Sequence, residues 1–150
     1  ADGILFLSLL SGRNPDYLIE HQINSVRILE QTNLEVISTA YLLIDGGKET
    51  AVQSVSQTKP IAHSDIELAY RTAKAGELLG MKLIYLEAGS GANQKVSLEM
   101  IKYITENCKI PVIVGGGIRS MQTIQQVYDS GADLVVIGTA FENDSNFFKE

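Results

Sequence analysis

The stretch Tyr85-Leu86-Glu87-Ala88-Gly89-Ser90-Gly91 decides how the chain reads. It closes the apolar run Met81 to Leu86, then sets a phenol, a carboxylate, a hydroxyl and two glycines close together. A strand leaving a sheet into such a turn presents polar groups at a rigid edge, where sites are built. Two further strand-to-glycine turns follow, at Gly115-Gly116-Gly117 and at Gly138-Thr139. Converging on one end of a parallel sheet, the three turns would make an anion pocket.

Working outward, short apolar runs recur at Ile4 to Leu7, Leu34 to Ile44, Lys82 to Glu87, Ile110 to Val114 and Leu134 to Ile137. They are continuous rather than alternating, the pattern of strands buried on both faces. Helix signals lie between them. Asn14-Pro15 starts a helix to about Gln31, with Ile19, Ile23, Val26 and Leu29 on one face. Ser64-Asp65-Ile66-Glu67 is a capping box for a helix that stops at Gly80. Ser97 caps a helix to Asn107, Ser120 starts one that ends at Ser130-Gly131, and Phe141 to Glu150 begins another. Lys48 to His63 contains Pro60 and reads as an extended excursion. The expectation is an α/β fold of repeated βα units, its parallel sheet covered by helices and its crossovers right-handed.

The totals narrow the function classes. The 150 residues suit one domain, and 45% apolar with 20% charged residues is ordinary globular composition. A net charge of -6 argues against nucleic acid as a partner. No run approaches the roughly 18 apolar residues of a membrane span, and no signal-peptide pattern opens the chain. The single Cys108 excludes an internal disulfide, reads as apolar filler and fits a reducing compartment, so a cytoplasmic location is expected. His21 and His63 lack metal-ligand spacing.

Val112 to Ser120 is strand, glycine turn and helix start, and Val135 to Ala140 repeats the device one unit later. Glycines let backbone N–H groups approach an anion, and a helix N-terminus adds positive potential. In a (β/α)8 barrel the phosphate site comes from the loops after strands 7 and 8, and these turns follow the last two strands. The plainer reading is that the glycines only make tight turns. A dinucleotide site fits poorly, because position 120 is Ser where G-x-G-x-x-G needs Gly. Glu87, at a strand tip, can accept a hydrogen bond from a substrate hydroxyl and take its proton, or form a structural salt bridge. Tyr85 points to the same side of its strand, as a second polar group or as core. Arg119 either balances a phosphate or lies exposed at a helix start.

In combination, Tyr85 to Gly91 (YLEAGSG), Val114 to Arg119 (VGGGIR) and Gly138-Thr139 resemble the geranylgeranylglyceryl phosphate synthase family, which includes the heptaprenylglyceryl phosphate synthases. Leu7 to Pro15 (LSLLSGRNP), Tyr41 to Gly47 (YLLIDGG) and Ala75 to Gly80 (AGELLG) match as well, so the likeness covers nearly the whole chain. The Ala-Gly-Ser-Gly form of the central loop is more like the archaeal and Bacteroidetes branch.

The resemblance implies a (β/α)8 TIM barrel of which residues 1–150 are the C-terminal part, about strand 4 to strand 8. It implies a prenyltransferase that joins a prenyl diphosphate, geranylgeranyl or another long chain, to the 3-hydroxyl of sn-glycerol 1-phosphate with Mg2+. By the same resemblance Tyr85, Leu86, Glu87, Ala88, Gly89, Ser90, Gly91, Gly116, Gly117, Gly138 and Thr139 bind glycerol 1-phosphate. Glu87 is the candidate base, with Tyr85 beside it in the catalytic pair. The family's metal-binding aspartates lie on its first two strands, so no metal ligand is expected here, and the chain is expected to be a piece of a longer protein. A homo-oligomer and a transient membrane-surface contact are further expectations from the family. Leu9, Leu10, Tyr17 and Tyr41 are candidates for an apolar groove. Two positions depart from the family: Ala40 and Glu20 stand where it usually has Gly, with Ala40 expected to narrow the mouth and Glu20 to alter a helix start or the groove. The rivals are another barrel enzyme acting on a phosphorylated small molecule, and a phosphate-binding partial barrel without turnover.

Overall fold

The structure is a computed structural model that describes residues 1–144 and 147–148. Five strands form one sheet in the order β1-β2-β3-β4-β5, every neighbouring pair parallel. They are β1 (Gly3–Leu9), β2 (Glu35–Leu43), β3 (Leu83–Glu87), β4 (Val112–Gly115) and β5 (Leu134–Val136). Between and after them run α1 (His21–Leu29), entered through a π-helical turn at Asp16–Glu20, then α2 (Ala51–Ser56), α3 (Ile66–Leu78), α4 (Leu98–Asn107), α5 (Met121–Asp129) and α6 (Thr139–Asn143).

Alternation along the strands sorts the side chains into two layers. Ala40, Leu42 and Ile44, then Ile84 and Leu86, then Val112 and Val114 face the helices. They meet Ala69 and Ala73 of α3, Met100, Ile101 and Ile104 of α4, and Ile124 and Val127 of α5, the apolar faces that three- and four-residue spacing sets up. The other face carries Leu9, Tyr41, Leu43, Tyr85 and Ile113. Double-sided burial therefore holds for the C-terminal half of β2 and for most of β3 and β4. The edges differ: Ile4 and Val36 at the start of β1 and β2, and Leu134 and Val136 in β5, are exposed.

Several expectations need correction. Residues 48–63 are not wholly extended, because α2 forms there. The Thr50 side chain accepts from Gln53 N–H, and Gln57 ends the helix in the left-handed region at φ 53°. Thr50-x-x-Gln53 is a capping-box pair, a signal outweighed by the polar composition. The cap of α3 is Asp65, whose carboxylate accepts from Leu68 N–H, not Ser64. The apolar stripe over the π-helical turn and α1 is largely uncovered: Ile19, Ile23 and Val26 are exposed among the described residues and Leu29 is half-buried. Ala40 does not reach the mouth. It is buried on the helix side, where a Cβ added to Gly76 would come within 2.6 Å of its methyl. Glu20 is exposed at the junction of the π-helical turn and α1. The last helix is α6, which starts at Thr139, and residues 145, 146, 149 and 150 of the expected tail helix lie outside the described residues.

The side chains of Leu86 and Ala88 belong to this core, both being fully buried on the helix side. Deleting a buried leucine side chain removes its transfer energy and leaves a cavity, at about 2–5 kcal/mol. Leu86→Ala is therefore expected to lower unfolding stability by about 3 kcal/mol in a urea titration. A shift under about 1 kcal/mol would mean that this layer collapses around the gap.

Candidate functional site

The C-terminal ends of the strands open into one cavity of about 470 Å3. Its wall brings together Glu87, Gly89, Ser90 and Gly91 from the β3–α4 loop, Gly116 and Gly117 after β4, and Gly138 and Thr139 after β5. Of the other residues singled out in the sequence, Tyr85 lies beneath Glu87 in the sheet face, while Leu86 and Ala88 point away into the helix-side core. Arg119 reaches the wall, but its guanidinium donates to the Ala92 carbonyl at 2.8 Å.

Register explains the arrangement. Leu43, Glu87, Gly115 and Val136 form one row across β2 to β5, and Tyr41, Tyr85 and Ile113 the row below. Gly115 is what gives the Glu87 carboxylate its room. A Cβ there would lie 2.5 Å from Glu87 Oε2 and 2.8 Å from Tyr85 Oη. Glu87 Oε1 accepts from Gly89 N–H at 2.7 Å, so the turn that follows the strand fixes the carboxylate. No cation pairs with Glu87 among the described residues, which removes the salt-bridge reading. Tyr41 and Tyr85 pack edge to face with centroids 5.2 Å apart. Burial, then the neighbouring Glu87 charge, pushes both phenols above the ordinary tyrosine range, and a hydrogen bond to Glu87 adds to the effect at Tyr85. Both phenols are therefore in their neutral form near neutral pH, and Tyr85 lies against the Glu87 carboxylate.

The glycine turns leave donors free. The N–H groups of Gly91, Gly116, Gly117 and Gly138 donate to no other group among the described residues, and all four residues line the cavity. Unpaired main-chain donors around a concave space suit an anion. Ser90 Oγ and Thr139 Oγ1 lie 3.3 Å apart and tie the first turn to the third. At the start of α5, Ser120 Oγ accepts from Thr123 N–H at 3.1 Å, which satisfies one donor of that helix end.

All of residues 1–150 match the PcrB family. The chain belongs to the PcrB family. PcrB relatives with curated names include the geranylgeranylglyceryl phosphate synthase of Flavobacterium johnsoniae, 65% identical over 148 residues, covering 99% of this chain and 61% of the relative. The synthase of the same name from Zunongwangia profunda is 57% identical over 143 residues, covering 95% of this chain and 61% of the relative. Among solved structures, the (S)-3-O-geranylgeranylglyceryl phosphate synthase of Thermoplasma acidophilum, in complex with its substrate sn-glycerol-1-phosphate, superposes with a TM-score of 0.92 at 35% identity, covering 99% of this chain and 60% of that one. The chain thus spans about three fifths of the length of the PcrB relatives it matches. Its five parallel βα units are part of the TIM-barrel type of fold that those structures have.

A second, apolar cavity of about 270 Å3 adjoins the first on the same sheet face, lined by Leu7, Leu9, Tyr17, His21, Gln22, Tyr41, Val52 and Val55. Tyr41 and Val52 border both cavities. Of the groove candidates, Leu10 does not take part, because it packs toward Gly76 on the helix side. Sequence reasoning missed Lys48, Thr50 and Val52 in the main cavity, and the role of Gly115 as the space beside Glu87. Lys48 was findable, since it directly follows Gly46-Gly47 at the C-terminal tip of β2, the end where barrel sites form. No group of three or more His, Cys, Asp or Glu able to hold a metal stands among the described residues, so the Mg2+ implied by the family finds no ligand set there. No helix of the described residues is long and apolar enough to cross a membrane.

Gly138 separates ligand effects from folding effects. It has a φ of -111°, and an added Cβ would meet nothing within 4 Å. Gly138→Ala is expected to leave the melting temperature unchanged and to weaken phosphate binding about tenfold, read by calorimetry, because only a bound anion would touch the new methyl. Unchanged affinity would place the anion elsewhere.

Proposed function

We propose that this chain carries the glycerol-phosphate site of a prenyltransferase, in which a prenyl diphosphate alkylates the 3-hydroxyl of sn-glycerol 1-phosphate. The observation that carries the reading is the ring of unpaired glycine N–H groups around a fixed carboxylate. Phosphate takes the turn amides. The glycerol hydroxyls then lie toward Glu87, whose acceptor-only carboxylate suits a hydroxyl proton. The Thermoplasma acidophilum relative with sn-glycerol-1-phosphate bound supports the same assignment.

In the step itself the glycerol oxygen forms a bond to the allylic carbon. The carbon–oxygen bond to diphosphate breaks, and its electron pair leaves with diphosphate. The hydroxyl proton goes to Glu87. Tyr85 Oη and Gly89 N–H hold the carboxylate while this happens, so little reorganisation is left for the transition state. The adjoining apolar cavity suits the first part of a prenyl tail. The cation that neutralises the leaving diphosphate is assigned to no described residue of this chain.

A calorimetric titration of the full-length protein with sn-glycerol 1-phosphate, with glycerol as control, tests the reading. Binding of the phosphate ester at micromolar to millimolar level with none of glycerol is expected. Equal or absent binding of both would overturn it.

A further inference from the structure

Four charged side chains line the main cavity: Lys48, Glu49, Glu87 and Arg119. Two have their partners. Glu87 is held by Gly89 N–H and by Tyr85, and Arg119 by the Ala92 carbonyl. Lys48 is different. It is exposed, it has no carboxylate within 4 Å of its ammonium among the described residues, and it donates no hydrogen bond there. Its neighbour Glu49 lines the same wall without pairing with it. The side chain extends from the β2–α2 loop across to the β3–α4 loop, so that a Cβ placed on Gly91 would sit 3.7 Å from Lys48 Nζ. Gly91 carries one of the unpaired amides, and Ser90 beside it links to Thr139 on the far turn. The ammonium therefore stands beside the Gly91 turn, at one of the unpaired amides.

We infer that Lys48 is a substrate-contacting residue that binds the phosphate of the glycerol ester beside the Gly91 turn and makes the site select a phosphate monoester over an uncharged polyol. The inference rests on the function proposed above. A dianion set against neutral amides alone leaves its charge uncompensated, since without Lys48 the formal charges of the wall side chains sum to -1 and Arg119 is turned to a carbonyl. An ammonium on a flexible stem offsets part of that charge as a point charge. It adds nothing for glycerol, which carries no charge.

The test uses the full-length protein as wild type, Lys48→Met and Lys48→Arg. Each is titrated with sn-glycerol 1-phosphate and with inorganic phosphate, then assayed for the Michaelis constants of both substrates. Lys48→Met is expected to weaken both phosphate ligands about tenfold, to raise the KM for the glycerol ester alike, and to leave kcat and the KM for prenyl diphosphate within about twofold. Lys48→Arg should recover most of the loss, because the charge is kept. Wild-type binding should weaken with added salt more steeply than that of Lys48→Met. If Lys48→Met binds the ester as wild type does, or if the KM for prenyl diphosphate is what rises, the assignment of Lys48 is wrong while the phosphate site stands. If wild type binds neither phosphate ligand, the function proposed for the cavity falls, and this inference with it.

Discussion

Glu87→Gln is expected to lower the rate of ether formation about a thousandfold while changing affinity for sn-glycerol 1-phosphate by less than about threefold. The amide keeps the size of the carboxylate and one acceptor oxygen, so Gly89 N–H retains its partner. What is lost is the capacity to take a proton at the moment the glycerol oxygen becomes a nucleophile, and positioned general bases are worth about 10²–10⁴. Tyr85 is a poor substitute, because its burial, which the substitution leaves in place, raises its phenol above the ordinary tyrosine range. Single-turnover kinetics with labelled glycerol ester separates the two effects. Loss of binding with an unchanged chemical step would show that Glu87 only holds substrate.

The second large effect is expected at Gly116→Ala. Gly116 sits at φ 84°, where a side chain is strained by about 1–2 kcal/mol. Its added Cβ would also lie 2.6 Å from Glu87 Oε1, 2.6 Å from Gly89 N and 2.8 Å from Gly89 O. These are two partners in one hydrogen bond and the carbonyl of the same turn, so relief requires the β3–α4 loop to move and the carboxylate to be released. Glycerol-phosphate affinity is expected to fall at least about a hundredfold, with a stability loss of about 2–3 kcal/mol. Differential scanning calorimetry and ligand titration of the same sample report both. A variant that melts like wild type and binds within about threefold would mean that the two loops are not coupled through Glu87. The contrast with Gly138, where an added methyl meets open space, shows that the glycines of these turns do different physical work.

The sheet was legible because buried parallel strands leave continuous apolar runs, as in Leu34 to Ile44 and Ile110 to Val114, and because Ser97, Ser120 and Gly80 punctuate them. The glycine turns were legible for a related reason: few residues but glycine take the conformation at Gly89, Gly91, Gly116 and Gly117, all at positive φ. What stayed hidden depends on contacts distant in sequence. The short α2 rests on one cap and a left-handed Gln57, and it is tied down by Asn14 Nδ2 donating to the Ser56 carbonyl and Tyr17 Oη to the Val55 carbonyl. Those bonds span about forty residues and have no local signature. The side chains of Leu86 and Ala88 turn away from the cavity because a motif is contiguous whereas a strand alternates. Tyr85 and Glu87 face the cavity side, and the residues between and after them face the helices. Ala40 was misplaced toward the mouth for the same reason, although Tyr41 next to it does line the cavity.

The most direct test of the central claim is product formation by the full-length protein, supplied with labelled sn-glycerol 1-phosphate, geranylgeranyl diphosphate and Mg2+. A labelled, solvent-extractable ether phosphate is expected, whose formation needs both substrates and falls about a thousandfold in Glu87→Gln. Tight binding of glycerol 1-phosphate without ether formation from any prenyl diphosphate would contradict it, leaving a phosphate-binding barrel whose chemistry is something else.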